Sequence, residues 1–224
     1  MTKSVLWDLD GTLIDSEQYH WLAWRDTMAA EGVALTREQF LATFGLRNDA
    51  IIPQWIPDAS SARIDGIARS KEELYRRLVR EGGLEALPGA RHWIEELARD
   101  GWLQAIASSA PRENVDAVLA AIGLESCFQA IVSAEDVTVG KPDPQVFLTA
   151  ASRVGTPPAR SIVVEDAPAG IEAARRAGMP SIGVRRQGPP LPANLAISSL
   201  SDLPPDAFQR LLDSSDSGYP QRQP

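Results

Sequence analysis

The chain has 224 residues, 44% of them hydrophobic and 23% charged, with a net charge of −8 at pH 7. That length holds one core plus a smaller lobe, and the negative charge argues against a broad nucleic-acid surface or an anionic membrane as partner. The single cysteine, Cys127, excludes an internal disulfide and a cysteine-bound metal cluster, no apolar run approaches the ~18 residues of a membrane span, and the early acidic residues do not fit a secretory leader, so a cytoplasmic monomer is the default expectation.

The first element is a short apolar run, Val5-Leu6-Trp7, which reads as a buried strand. It ends in Asp8 and Asp10, followed at once by Gly11, which lets the chain turn away sharply. From 17 to 82 the chain offers helices only, expected at 17–31, 37–44, 49–56 and 60–80. Beyond Gly82-Gly83 and Leu87-Pro88-Gly89, strands at 103–107, 130–132, 162–164 and 181–184 alternate with helices at 90–99, 113–122, 144–154 and 169–177. Val115, Val118, Leu119 and Ile122 show the i, i+3, i+4, i+7 spacing of a helix face. Gly101, Gly123, Gly155 and Gly178 each stand where a helix should stop. A last helix is expected at 206–213, with a polar, mobile tail from 214.

This alternation predicts an α/β fold with a parallel sheet flanked by helices. The core comprises 1–15 and 86–205, a helical cap is inserted at 16–85, and 206–224 form the last helix and tail.

In parallel sheets ligands gather beyond the carboxyl ends of strands. Asp8 and Asp10 end the first strand, Ser108 and Ser109 the second, and Glu165-Asp166 the fourth, while Lys141 follows the third within Gly140-Lys141-Pro142-Asp143-Pro144. Ser108 also suits a helix N-cap, a role compatible with binding phosphate. Buried carboxylates need compensation, and a hard divalent cation is the natural one. Several carboxylates, two hydroxyls and one lysine suit phosphoryl transfer: a carboxylate attacks phosphorus, while the cations neutralise its oxygens.

Asp8-Leu9-Asp10-Gly11-Thr12, Ser108, Lys141 and Glu165-Asp166 resemble motifs I to IV of the haloacid dehalogenase superfamily, in the same order. The resemblance spans roughly 3–184 and implies a Rossmann-like core with a mobile helical cap. It implies Asp8 as nucleophile forming an aspartyl-phosphate, Asp10 as general acid and base, and Ser108 and Lys141 as the phosphoryl grip, beside which Ser109 is a further phosphate-binding candidate from its place at the strand end. It implies Mg²⁺ held by Asp8, the Asp10 carbonyl and Asp166, with Glu165 ligating directly or through water. The second aspartate points to phosphate rather than halide chemistry.

The insert resembles the type-1 cap of the β-phosphoglucomutase-like branch. That resemblance implies cap roles for three residues: His20 near the acid/base aspartate, Arg47 of Gly45-Leu46-Arg47 on a distal phosphate, and Lys71, four before Tyr75, facing the sugar. Trp7 replaces the phenylalanine usual in the family. Ala110, Pro111 and Arg112 stand where a mutase carries a second phosphate grip, which favours a phosphatase acting on a small phosphorylated metabolite, such as a sugar phosphate, over a hexose-phosphate mutase. A non-catalytic regulator on the same fold is a third reading, opposed by the complete set of motif residues.

Overall fold

The computed structural model describes residues 2–43, 46–185 and 188–216. Six strands form one parallel sheet: β1 (Ser4–Trp7), β2 (Leu103–Ala107), β3 (Ala130–Val132), β4 (Ser161–Glu165), β5 (Ser181–Val184) and β6 (Leu195–Ile197). Their spatial order is β3-β2-β1-β4-β5-β6. The chain builds outward from β1 through β2 to β3, then crosses back to add β4, β5 and β6 on the other side. The order therefore reverses between β1 and β4, and a crevice opens there at the carboxyl ends of the strands.

The central strands are buried on both faces, which explains why Val5-Leu6-Trp7 and Ile162-Val163-Val164 read as continuous apolar runs rather than alternating ones. Burying each such side chain contributes about 1.5–3 kcal/mol. The sheet can thus tolerate unfavourable charge at its strand ends. Trp7 is fully buried against Phe208, with ring centroids 6.1 Å apart, and its indole N–H donates to Gln104 Oε1 at 2.9 Å. Gln104 Nε2 in turn donates to the Ile94 carbonyl, so the tryptophan in this motif is fully accommodated.

Nine α-helices are described. Four form the insert that follows β1: α1 (Glu17–Ala30), α2 (Arg37–Thr43), α3 (Asn48–Trp55) and α4 (Ser61–Gly82). They enclose their own apolar cluster of Trp24, Met28, Phe40, Ile51, Ile52 and Ile67. The other five are α5 (Ala90–Arg99), α6 (Arg112–Ile122), α7 (Gln145–Arg153), α8 (Pro168–Arg176) and α9 (Ala207–Asp216). The two connections between the helical insert and the sheet run side by side: Ile14 bridges Ala86, and the Leu87 N–H donates to the Leu13 carbonyl at 2.7 Å.

Several expected bounds shift. α4 runs through to Gly82 rather than stopping at 80, and α9 runs to Asp216, so helix replaces the start of the expected mobile tail. The rest of that tail, 217–224, lies outside the described residues, as do Phe44, the expected end of α2, and Gly45 of the expected cap loop. β6 was not anticipated because Leu195 and Ile197 are only partly buried and Ala196 is exposed, leaving no apolar run to read. Helix α6 begins at Arg112 after Pro111, so Ser108 is not its cap; the Ser108 hydroxyl instead accepts from the Ala110 N–H at 3.0 Å.

Candidate active site

β1 delivers Asp8 to the crevice between β1 and β4, where its N–H donates to the Val164 carbonyl at 3.0 Å. Period-two alternation sends Trp7 to the opposite face of the sheet from Asp8. Gly11 then turns the chain at φ +90°, and a Cβ there would stand 2.1 Å from Asp166 Oδ2. Glycine is thus required twice over, by its backbone conformation and by the approach of an acidic side chain.

The Lys141 ammonium sits between two carboxylates, donating to Asp8 Oδ1 at 2.6 Å and to Glu165 Oε1 at 2.8 Å. The other Glu165 oxygen accepts the Ala167 N–H at 2.6 Å. Asp8, Glu165 and Asp166 each offer a carboxylate oxygen within 4.8 Å of the others. Burial pushes Asp8 up to about 7; Lys141 pulls the other way, and Glu165 and Asp10 add to the rise. Asp166 is likewise raised, by burial and then by Glu165 and Asp8. Burial alone would lower Lys141, but Asp8 and Glu165 outweigh it and raise its affinity for the proton.

An all-oxygen donor set with more negative charge than one lysine can balance fits a hard divalent cation such as Mg²⁺. Asp8 and Asp166 are the carboxylates best placed for it. Glu165 has one oxygen on Lys141 and the other on a backbone N–H, so it acts as a brace for the lysine.

Asp10 turns its carboxylate away from this cluster and toward the helical insert. Its Oδ1 accepts from Ser16 Oγ at 2.5 Å and lies 3.4 Å from His20 Nε2 and 3.5 Å from Tyr75 OH. Burial would raise Asp10, but the bonds from His20 and Ser16, with the positive charge of Lys71, hold it below the usual carboxylate range. The His20 ring stacks on Tyr75 with centroids 4.1 Å apart, and its Nδ1 lies 2.9 Å from Lys71 Nζ. An ammonium can only donate, so Nδ1 accepts and the ring proton sits on Nε2, facing Asp10. Burial and then the adjacent Lys71 charge depress His20, which favours that neutral form.

A cavity of about 470 Å³ spans the crevice and the insert. Every residue singled out from the sequence lines it: Asp8, Asp10, Ser108, Ser109, Lys141, Glu165 and Asp166 from the sheet side, and His20, Arg47 and Lys71 from the insert. Arg47 reaches across to the sheet side, where Nη1 donates to the Ala134 carbonyl at 3.3 Å and its stem packs on Gly140. Lys71 is 2% exposed and spends its donors on His20 and on Glu72, at 2.9 Å each, rather than projecting freely into the cavity. Arg112 is absent from the lining and donates to Asp116 Oδ1 at 2.9 Å.

Sequence reasoning missed Ser16, Tyr75, Glu72 and Asn114. The signal for Tyr75 was present, since it lies one helical turn beyond Lys71. Asn114 gives no signal in a sequence, because a helical asparagine reads as ordinary surface.

Comparison with known proteins agrees with this geometry. The family model described as haloacid dehalogenase-like hydrolase matches residues 5–184. The chain is 34% identical to hexitol phosphatase B of Escherichia coli O157:H7 over 212 residues, covering 89% of this chain and 93% of that one. It is 31% identical to the β-phosphoglucomutase of Bacillus subtilis (strain 168) over 209 residues, covering 90% and 91%. The crystal structure of CbbY from Rhodobacter sphaeroides in complex with phosphate superposes with a TM-score of 0.82 at 29% identity, covering 91% and 96%. A match across this much of the chain, on a fold that gathers the motif residues at one crevice, shows that the chain belongs to the haloacid dehalogenase-like hydrolases.

Proposed function

We propose that the protein hydrolyses a small phosphate monoester, a sugar or sugar-alcohol phosphate, with Mg²⁺ as cofactor and Asp8 as nucleophile. The observation that carries this reading is the placement of the Asp8 carboxylate at the strand-order reversal, with Lys141 Nζ at 2.6 Å and Asp166 beside it. Asp8 attacks phosphorus, the ester P–O bond breaks, and the leaving oxygen takes a proton from Asp10. Asp10 then removes a proton from the water that attacks the aspartyl-phosphate, which releases phosphate and restores Asp8. Asp8, Asp166 and the Asp10 carbonyl would hold Mg²⁺, which supplies positive charge to the transferring phosphoryl oxygens. Lys141 adds a second positive charge, and Ser108 and Ser109 supply hydroxyls from the end of β2.

Hydrolysis is preferred to a mutase cycle because two of the cations that could hold a second phosphate are engaged elsewhere. Arg112 is turned to Asp116, and Lys71 is bound to Glu72 and His20. The mutase reading keeps two supporting observations, the presence of Arg47 in the lining and the 31% identity to the β-phosphoglucomutase of Bacillus subtilis. Incubation with Mg²⁺ and a panel of hexose, hexitol and pentose phosphates, with β-glucose 1-phosphate among them, separates the two. Phosphate release from one or a few esters is expected. Conversion of β-glucose 1-phosphate to glucose 6-phosphate with a bisphosphate activator, without comparable phosphate release, would establish the mutase instead.

A further inference from the structure

The Glu72 carboxylate, 6% exposed, is held by donors from three helices. Its Oε1 accepts from Lys71 Nζ at 2.9 Å and from Asn48 Nδ2 at 2.7 Å, and its Oε2 accepts from Asn114 Nδ2 at 2.5 Å. Asn114 belongs to α6, on the sheet side of the cavity, and is 1% exposed. Its carbonyl oxygen accepts from Arg76 Nη1 at 2.9 Å, and Arg76 also pairs with Glu113 at 2.9 Å. Glu72 and Arg76 lie one helical turn apart on α4, so a single helix face grips both ends of one buried amide.

We propose that Asn114, clamped between Glu72 and Arg76, is a positioning residue for leaving-group protonation, acting through the chain Glu72–Lys71–His20–Asp10. The inference rests on the role proposed above for Asp10. The amide makes the clamp directional. Its NH₂ can meet only an acceptor and its C=O only a donor, so the bonds form in one seating of α4 on α6. In that seating Glu72 balances the Lys71 charge and fixes the ammonium against His20 Nδ1. His20 must then present Nε2–H to Asp10. When α4 separates from α6, Glu72 loses its sheet-side donor and the histidine loses its fixed orientation. The arrangement fixes the direction of the Asp10 carboxylate, and with it the path of its proton to the leaving oxygen, when the insert is seated on the sheet and the ester is enclosed.

The prediction is a selectivity change rather than a general loss. A sugar phosphate has a poor leaving group and needs the proton; p-nitrophenyl phosphate does not. In Asn114→Asp, two carboxylates face each other across the clamp. The ratio of kcat/KM for the sugar phosphate to that for p-nitrophenyl phosphate should fall on the order of 10²-fold, the scale of general-acid catalysis. Adding Glu72→Gln reverses the bond. The introduced amide can donate to the introduced carboxylate while its carbonyl still accepts from Lys71 and Asn48, so the double variant should regain most of the ratio.

A second readout does not depend on activity. The chain has three lysines. Brief acetylation followed by mass spectrometry should show Lys71 modified faster, relative to Lys3, in Asn114→Asp than in the wild type, and slowed again in the double variant. A folded Asn114→Asp protein with unchanged ester ratio and unchanged Lys71 labelling would overturn the proposal. If that variant does not fold, Glu72→Gln alone decides on the same two readouts. If the wild type hydrolyses no ester, the functional reading fails while Lys71 labelling still decides the clamp.

Discussion

At the scale of single residues, the two aspartates of the first motif have opposite environments although one residue separates them. Burial, helped by Glu165 and Asp10, raises Asp8 to about 7 against the pull of Lys141, whereas the donors around the equally buried Asp10 outweigh burial and hold it low. Asp10→Asn should lower kcat on a sugar phosphate about 10²- to 10⁴-fold while affecting p-nitrophenyl phosphate far less. Steady-state rates on the two esters check this, and equal losses would contradict an acid role. Asp136, which is not among the residues lining the cavity, shows the same physics applied to stability. Its carboxylate pairs with Arg153 and accepts the Ser133 N–H and hydroxyl at 2.9 Å, and these bonds, Arg153 first, lower it to about 2. Folding therefore favours the ionised form. The stabilisation is complete above the ordinary carboxylate range and is lost as pH falls from about 4 to about 2. Asp136→Asn should destabilise by about 1 kcal/mol at pH 7, discounted for partial exposure. Denaturant melts should show that gap closing toward pH 3.

At the scale of elements, the turn after β1 carries the most consequence. Gly11→Ala would be strained at φ +90° and would push its methyl into Asp166. The expected result is a weaker response to Mg²⁺ in thermal melts, with the sheet otherwise folded; an unchanged Mg²⁺ response would contradict the placement of Asp166 at the cation. The sheet was legible in the sequence where strands are buried on both faces, as at Val5–Trp7 and Ile162–Val164. It was not legible at β6, whose half-exposed residues match loop composition. The helices of the insert were legible from the lack of any strand pattern between Glu17 and Gly82. The site was legible where one strand end supplies chemistry, at Asp8, Asp10, Ser108, Lys141 and Glu165-Asp166. It was not legible at Glu72 and Asn114, because their partnership spans two helices 42 residues apart in sequence. Lys71 shows the intermediate case: its position could be named, but its buried neighbour Glu72, which occupies its charge, could not.

At the scale of the whole molecule, a stable sheet supports a destabilising charge cluster. In the metal-free protein the raised Asp8 makes the folded state retain a proton that the unfolded state has released between pH 4 and 7. The unfolded state then binds fewer protons, so this group lowers stability as pH rises through that window. Thermal melts without Mg²⁺ should show that decline and Asp8→Asn should flatten it. Millimolar Mg²⁺ should raise the melting temperature of the wild type most near pH 7, by mass action on the folded state. A wild-type profile that Asp8→Asn leaves unaltered would contradict the charge assignment. The cavity lies between the sheet and the insert, and its wall combines residues from the carboxyl ends of the strands with residues of α1, α2, α3 and α4. Under the proposed function, that division gives chemistry to the sheet and substrate choice to the insert.

The central claim is covalent transfer to Asp8. Its most direct test is acid quenching during turnover of a competent phosphate ester, followed by borohydride reduction and mass spectrometry of the peptide containing Asp8. The account predicts homoserine at position 8, formed by reduction of the acyl phosphate, and none in wild-type protein quenched before substrate is added. Phosphate release by the wild type with position 8 unmodified, or with reduction at another carboxylate, would contradict it.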